Sequence, residues 1–186
     1  MRETPVQLTG SVASAEPLLY RRVSARGEWL AAGQIYIDNR VREGRAGYYV
    51  VTPLRLAGSA DAVLVNRGWI ARTNDYPRPP AVEVPRGEVA VSGLATQPPR
   101  RVLELSADTV AGDVWQNLSI ERYAQAKRMR VLPLVVLADD AGAGLAAVRE
   151  QPDAGVAKHR EYALTWFSLA LTAAVMWVVL NLRRAR

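Results

Sequence analysis

The chain has no cysteine, one histidine and three methionines among its 186 residues. Lack of cysteine excludes disulfide staples, thioether attachment of haem, zinc fingers and thiolate copper sites. It leaves the compartment open, because exported domains also fold without disulfides. A single imidazole provides no metal-ligand cluster and no partner for a nucleophile. A Gly-rich phosphate loop, a G-x-S-x-G elbow and an H-E-x-x-H pair are missing as well. The adjacent carboxylates Asp139 and Asp140 fall in a turn and read as solvated loop residues. With no acid/base or nucleophilic set in view, a non-enzymatic protein is expected.

The charge that is present has one dominant sign. A net charge of +6 and a pI near 10.0 raise the question of nucleic acid. The basic residues are spread, as in Arg21-Arg22, Arg100-Arg101 and Lys127-Arg128, and no nucleic-acid module accompanies them. Membrane lipid of negative charge, or an acidic partner, accounts for the excess more simply. Hydrophobic residues make up 49%, so the chain is long and apolar enough for one packed domain plus an anchor.

Residues Val6–Val12 alternate as a strand, and Pro17–Val23 reads as a second extended or short helical piece. Gln34–Asn39 and Gly47–Thr52 flank the polar turn Arg42-Glu43-Gly44-Arg45, which predicts a β-hairpin whose second strand is ended by Pro53. Ala62–Ile70 is a continuous apolar run, expected to be buried on both faces, and Gly68 between Arg67 and Trp69 suggests a bulge that re-aims those two side chains. Pro77 to Pro85 reads as an exposed extended loop. Gly87–Leu94 alternates as a strand with one solvated face, and Val102–Leu105 adds a short one. Ser119 caps a helix from Ile120 to about Lys127, and Val131–Ala138 follows as a strand that Pro133 assigns to a sheet edge. The fold class is therefore α+β: an antiparallel, β-rich extramembrane domain over 1–157, a curled sheet or small open barrel with one short helix, followed by a C-terminal transmembrane helix and basic tail over 158–186.

That last segment has no charge for about twenty residues from Ala163 to Leu182, enough helix to cross a hydrocarbon core about 30 Å thick. Arg183, Arg184 and Arg186 close it, and Trp166 and Trp177 stand near its ends, where indoles prefer the interface. The basic residues on its two sides balance, so charge leaves the orientation open. His159, the only histidine, shares a helical face with Tyr162, Ala163, Trp166 and Ala170, a face suited to a flat apolar ligand. The competing reading of His159 is an interfacial anchor like the aromatic residues around it. Met1-Arg2-Glu3-Thr4-Pro5 shows no signal peptide, which fits either export by the C-terminal helix or a segment lying upstream of this start.

Gly47-Tyr48-Tyr49-Val50-Val51-Thr52-Pro53-Leu54-Arg55-Leu56 followed by Val63-Leu64-Val65-Asn66-Arg67-Gly68-Trp69-Ile70 resembles the signature of the SURF1/Shy1 family of cytochrome c oxidase assembly factors. Val114-Trp115-Gln116-Asn117 with Tyr123-Ala124, and His159-x-x-Tyr162-Ala163-Leu164-Thr165-Trp166-Phe167, are similar to its later motifs in the same order. Family members usually carry a first membrane helix just before the strand that here begins at Pro5-Val6, and this sequence shows none. The resemblance implies a domain in the periplasm of a bacterial plasma membrane, or the equivalent at the mitochondrial inner membrane. It also implies a part in inserting haem a into oxidase subunit I, with the haem a synthase as a further partner. His159 would then be a ligand of the haem iron, as proposed for bacterial members. The dipole at the helix start and the flanking cations Lys158 and Arg160 favour the neutral imidazole, whose lone pair is then free for iron. Those cations suit haem propionates, while the porphyrin lies against Tyr162 and Trp166. Arg67 and Trp69 have two readings, a contact surface for a partner or a core plug with an arginine satisfying loop carbonyls. A scaffold that stabilises an assembly intermediate without holding haem is the alternative function.

Overall fold

A computed structural model describes residues 4–10, 12, 14–98, 110–142, 144–148 and 156–184, without the side chains of 110–111, 156–161, 178–180 and 182–184. The strand expected at Val102–Leu105 lies outside the described residues. The chain divides into two compact units, Met1–Arg149 and Glu150–Arg186.

In the first unit the strands are β1 (Val6–Leu8), β2 (Arg22–Trp29), β3 (Ile35–Arg42), β4 (Arg45–Leu56), β5 (Ala62–Ala71), β6 (Glu88–Thr96), β7 (Val110–Ala111), β8 (Val114–Trp115) and β9 (Val131–Ala138), with the helix α1 (Ile120–Lys127) before the last. They form one sheet in the order β1-β2-β6-β9-β5-β4-β3-β8-β7, and β2 also pairs with β4. That extra pairing closes a ring of five strands, β2-β6-β9-β5-β4. In chain order the ring runs first, fourth, fifth, third, second, with the third and fifth strands parallel. This is the connectivity of a small Greek-key barrel of the OB type.

Closure depends on Gly27. Opposite Leu56 in the β2–β4 ladder, a Cβ at this position would lie 1.8 Å from the Arg55 carbonyl oxygen. Only glycine lets the two backbones approach so closely. The expectation of a curled sheet or small barrel therefore holds, with the barrel closed and not open. The expectation of an antiparallel sheet does not: β1–β2, β3–β8 and β5–β9 run parallel, and the sheet is mixed.

Alternate residues fill the barrel: Val23 and Ala25 from β2, Leu54 and Leu56 from β4, Val63 and Val65 from β5, Leu134 and Val136 from β9. Between them, Leu64 and Val135 point outward and pack with Ile35, Ile37, Val51 and Trp115 against Ile120 and Tyr123 of α1. Strand β5 thus buries both faces, which is why Ala62–Val65 is apolar at every position.

Helix α1 begins where Ser119 accepts a hydrogen bond from the Arg122 amide at 3.2 Å, the cap its sequence signals. The Tyr123 hydroxyl donates to the Gly33 carbonyl at 2.6 Å, tying α1 to the turn before β3.

Two prolines behave differently from expectation. Pro133 stands in β9, a central strand between β5 and β6, not an edge strand. It is tolerated because the β5 register skips from Ala62↔Val131 to Leu64↔Val135, and pairing with β6 begins only at Val135; no partner there requires its missing donor. Strand β4 also continues through Pro53 to Leu56. Pro53 falls where β4 exchanges β3, its partner up to Val51, for β2, its partner from Leu54.

The second unit contains one helix, α2 (Val156–Arg184), of 29 residues. Among the described residues no helix is long and apolar enough to cross a membrane. The expected C-terminal helix is present, and its expected crossing of a membrane is not shown by it.

Burial raises the pKa of the Tyr123 hydroxyl far above its ordinary 10.0, with Asp113 adding a smaller push, and Tyr48 moves the same way. The folded state holds these protons more tightly than the unfolded state. Their contribution is complete below pH 10.0 and is lost as the pH rises beyond it. Denaturant titrations from pH 8 to 11 should show stability falling above about pH 10, and Tyr123→Phe should flatten that fall while costing about 1–3 kcal/mol at neutral pH. An unchanged slope in the variant would show that Tyr123 does not carry the effect.

Candidate functional site

The motif Asn66-Arg67-Gly68-Trp69 forms a bulge in β5. Val50 of β4 faces Gly68 and Val51 faces Asn66, so Arg67 is the extra residue. Gly68 has φ 145°, a conformation that other residues rarely adopt. The Asn66 side-chain oxygen accepts from the Gly68 amide at 3.1 Å and fixes the turn. The bulge re-aims both neighbours, as its sequence indicates.

Arg67 turns inward and is only 4% exposed. Its Nη1 donates to Gln34 Oε1 at 3.1 Å and its Nη2 to the Glu83 carbonyl at 2.9 Å, and its guanidinium lies 5.4 Å from the centre of the Trp29 ring. Gln34 extends the network: its Oε1 accepts from Thr52 Oγ1 at 2.9 Å, and its Nε2 donates to the Tyr36 hydroxyl at 3.1 Å and the Val82 carbonyl at 3.2 Å. Among the described residues no carboxylate pairs with Arg67, and its acceptors are neutral. Burial lowers its pKa, and the Tyr36 hydroxyl opposes that in part. Trp29 and Gln34 also line an open groove of about 530 Å³ with Val82, Val84 and Arg86.

Trp69 is 8% exposed. Its Nε1 donates to the Arg40 carbonyl at 2.7 Å, and its backbone exchanges hydrogen bonds of 2.7 and 2.8 Å with Ala146. Arg67 and Trp69 are thus largely buried within the unit.

A second arginine, which sequence reasoning did not single out, holds the start of the proline-rich loop. Arg72 donates to Asp38 Oδ1 from Nε at 3.1 Å and from Nη2 at 2.6 Å, and its guanidinium lies 4.2 Å from the centre of the Tyr76 ring. The segment from Pro77 to Pro85 is therefore pinned at both ends, by Arg72 and Tyr76 before it and by Arg67 and Gln34 near its far end. Val82 and Val84 are half-buried. The exposed loop expected from its prolines is present, with Pro77, Arg78, Ala81, Glu83 and Pro85 exposed, and these contacts hold it as a strap.

Helix α2 brings Tyr162 and Trp166 one turn apart on one face, 66% and 69% exposed. The backbone of Lys158, His159 and Arg160 is helical; their side chains lie outside the described ones. Ser168 Oγ donates to the Thr165 carbonyl at 2.9 Å, Thr172 Oγ1 to the Ser168 carbonyl at 2.8 Å, and Asn181 Nδ2 to the Trp177 carbonyl at 2.8 Å. These polar groups are satisfied within the helix itself. No cluster of three or more metal-ligating side chains occurs among the described residues.

Together these features define a class: a small mixed barrel with a strapped loop, followed in the chain by a 29-residue helix that carries exposed aromatic residues. The SURF1 family model matches residues 1–171, and the chain belongs to the SURF1 family. It is 26% identical over 178 residues to a SURF1-like protein of Rickettsia felis, covering 88% of this chain and 74% of that protein. It is 26% identical over 190 residues to a SURF1-like protein of Drosophila melanogaster, covering 93% and 63% respectively. Against Surfeit locus protein 1 of Rattus norvegicus the identity is 26% over 203 residues, covering 97% and 63%. The chain spans less than two thirds of the length of these two animal relatives.

Lysine cannot reproduce the fork that holds Gln34 and Glu83 together. Arg67→Lys should destabilise the unit by about 1.5–3 kcal/mol in urea titration and open the strap to trypsin after Arg86. Unaltered stability with cleavage after Arg86 no faster than in the wild type would contradict this account of the network.

Proposed function

We propose that this chain is a membrane-anchored, non-enzymatic assembly factor for haem-copper cytochrome c oxidase that assists delivery of haem a to subunit I. In this reading α2 is the anchor, the barrel stands in the periplasm or its mitochondrial equivalent, and the haem a synthase is the source of cargo. One observation carries the anchor. The large apolar side chains of α2, including Leu164, Trp166, Phe167, Leu171 and Trp177, are exposed on all sides of the helix, while Ser168, Thr172 and Asn181 bond back to its own carbonyls. Such a helix suits a solvent that is itself apolar and offers no hydrogen bonds. Its 29 residues rise about 44 Å, and the part proposed to lie in the hydrocarbon is the uncharged stretch of the sequence from Ala163 to Leu182.

The outer end of α2 supports the cargo reading. Tyr162 and Trp166 offer exposed rings one turn apart, an apolar face that fits a flat macrocycle. His159 is the chain's only imidazole and would ligate the iron, with Lys158 and Arg160 toward the propionates. One imidazole gives weaker retention than two, which suits a molecule that must be handed on. Haem a, once delivered, supplies electron transfer to the oxidase; this chain's residues only hold and orient it.

Co-expressed with haem a synthesis and purified in detergent, the full chain should carry a haem a spectrum. His159→Ala should abolish that spectrum and Trp166→Ala should weaken it, with yield unchanged. A colourless wild type that still co-purifies with the oxidase would establish the scaffold function instead.

A further inference from the structure

The open groove of about 530 Å³ beside Trp29 has an uncompensated charge behind its wall. Trp29 and Gln34 form one part of the lining, and the strap residues Val82, Val84 and Arg86 form another. Arg67 stands behind them: it reaches Gln34, the Glu83 carbonyl between the two valines, and the Trp29 ring. Each of these acceptors is neutral, so the charge is not cancelled there. Held in a poorly polarisable interior, a charge is felt across a thin wall more strongly than the same charge in water. The other polar groups of the lining are already engaged. Gln34 Oε1 accepts from both Thr52 and Arg67, and its Nε2 donates to both the Tyr36 hydroxyl and the Val82 carbonyl, which uses every polar site of the amide. Glu28, also on the groove, is held by Arg55 Nη2 at 2.5 Å. Arg86 is exposed and has no ion pair among the described residues.

What the groove offers a ligand is therefore one free guanidinium, a second cation behind the wall, and the half-buried apolar surfaces of Trp29, Val82 and Val84. A cleft of this volume, largely apolar and with few polar groups of one sign, has the form of a small-molecule site. We propose that the groove binds a small organic carboxylate with an apolar body. The carboxylate pairs with the Arg86 guanidinium, in the field of Arg67, and the body lies against Trp29, Val82 and Val84. The planar fork of arginine matches the two oxygens of a carboxylate, and an anion at this place supplies the counter-charge that Arg67 lacks inside the unit. An inorganic anion, polar on every side, would leave the indole and the two valines in water. The proposal concerns the first unit alone and does not depend on the reading of α2. An acidic segment of a protein partner is the other occupant with this chemistry, and the test separates the two.

Because the chain has no cysteine, Ala31→Cys places a single thiol on the groove lining, and Ala126→Cys at an exposed position of α1 gives a control. The full chain, purified in detergent, is alkylated with iodoacetamide in the presence of 4-phenylbutyrate, its neutral amide 4-phenylbutyramide, or acetate. At equal concentration 4-phenylbutyrate should slow alkylation at position 31 about fivefold or more relative to the other two, and none of the three should change the rate at position 126. Arg86→Gln should lessen the preference for the acid over the amide, and Arg86→Glu should reverse it, with the far-ultraviolet circular dichroism unchanged. Equal protection by acid and amide, or a preference that survives Arg86→Glu, would overturn the assignment of a carboxylate. Equal protection by acetate would overturn the apolar body. No protection by 4-phenylbutyrate, or protection at both positions, would overturn the site. Protection of position 31 by a glutamate-rich peptide and not by 4-phenylbutyrate would overturn the small ligand in favour of a protein partner.

Discussion

A guanidinium buried among neutral acceptors is costly to desolvate, and the first unit is arranged around one. Arg67 has the Gln34 amide oxygen, the Glu83 carbonyl and the Trp29 ring as neighbours, with no carboxylate among the described residues to repay the loss of water. Its place is fixed by backbone geometry: the bulge at Gly68 and the Asn66 bond to the Gly68 amide turn the side chain inward. Once there, the fork satisfies a carbonyl of the proline-rich strap and a glutamine that itself bonds β3, β4 and the strap. Arg67 and Gln34 together hold the far end of the strap, beside the groove that Trp29 and Gln34 line.

The barrel gives this network a rigid base. Val63 and Val65 point into it and Leu64 points out beneath α1, so β5 is clamped from both faces just before its bulge. On the other side of the bulge, Trp69 fills the space over Gly47 and takes the chain's exit segment as a bridge partner. Packing that is tight on two faces lets a backbone irregularity persist instead of relaxing.

Much of this was legible in the sequence where the signal is local. The hairpin around Glu43-Gly44, the capped helix after Ser119, the doubly buried run Ala62–Val65 and the bulge at Gly68 each depend on residues within a few positions. What required distant partners was not legible. Arg22–Trp29 carries small and charged residues, and it is a strand because it pairs with β6 from Arg22 to Glu28 and with β4 from Gly27 to Trp29. Pro133 signals an edge, and only the skipped register against β5 lets it stand in the centre. The prolines from 77 to 85 describe an extended segment but say nothing of Arg67 and Arg72, which hold it from elsewhere in the sequence. Arg67 and Trp69 were recognisable as special and ambiguous in role, because a bulge residue can be aimed inward or outward by the same local sequence. At the start of α2, the shared face of Tyr162 and Trp166 follows from helical spacing alone; the sequence places His159 above them.

The central functional claim is that haem a passes through this chain on its way to the oxidase. It is tested most directly by loading the full-length protein with haem a in vesicles, adding subunit I that lacks haem, and following the absorption change as the pigment moves. The account predicts transfer from the wild type at a rate well above that from free haem a, and no such acceleration from His159→Ala. Equal rates from the wild type, the variant and free haem a would contradict it.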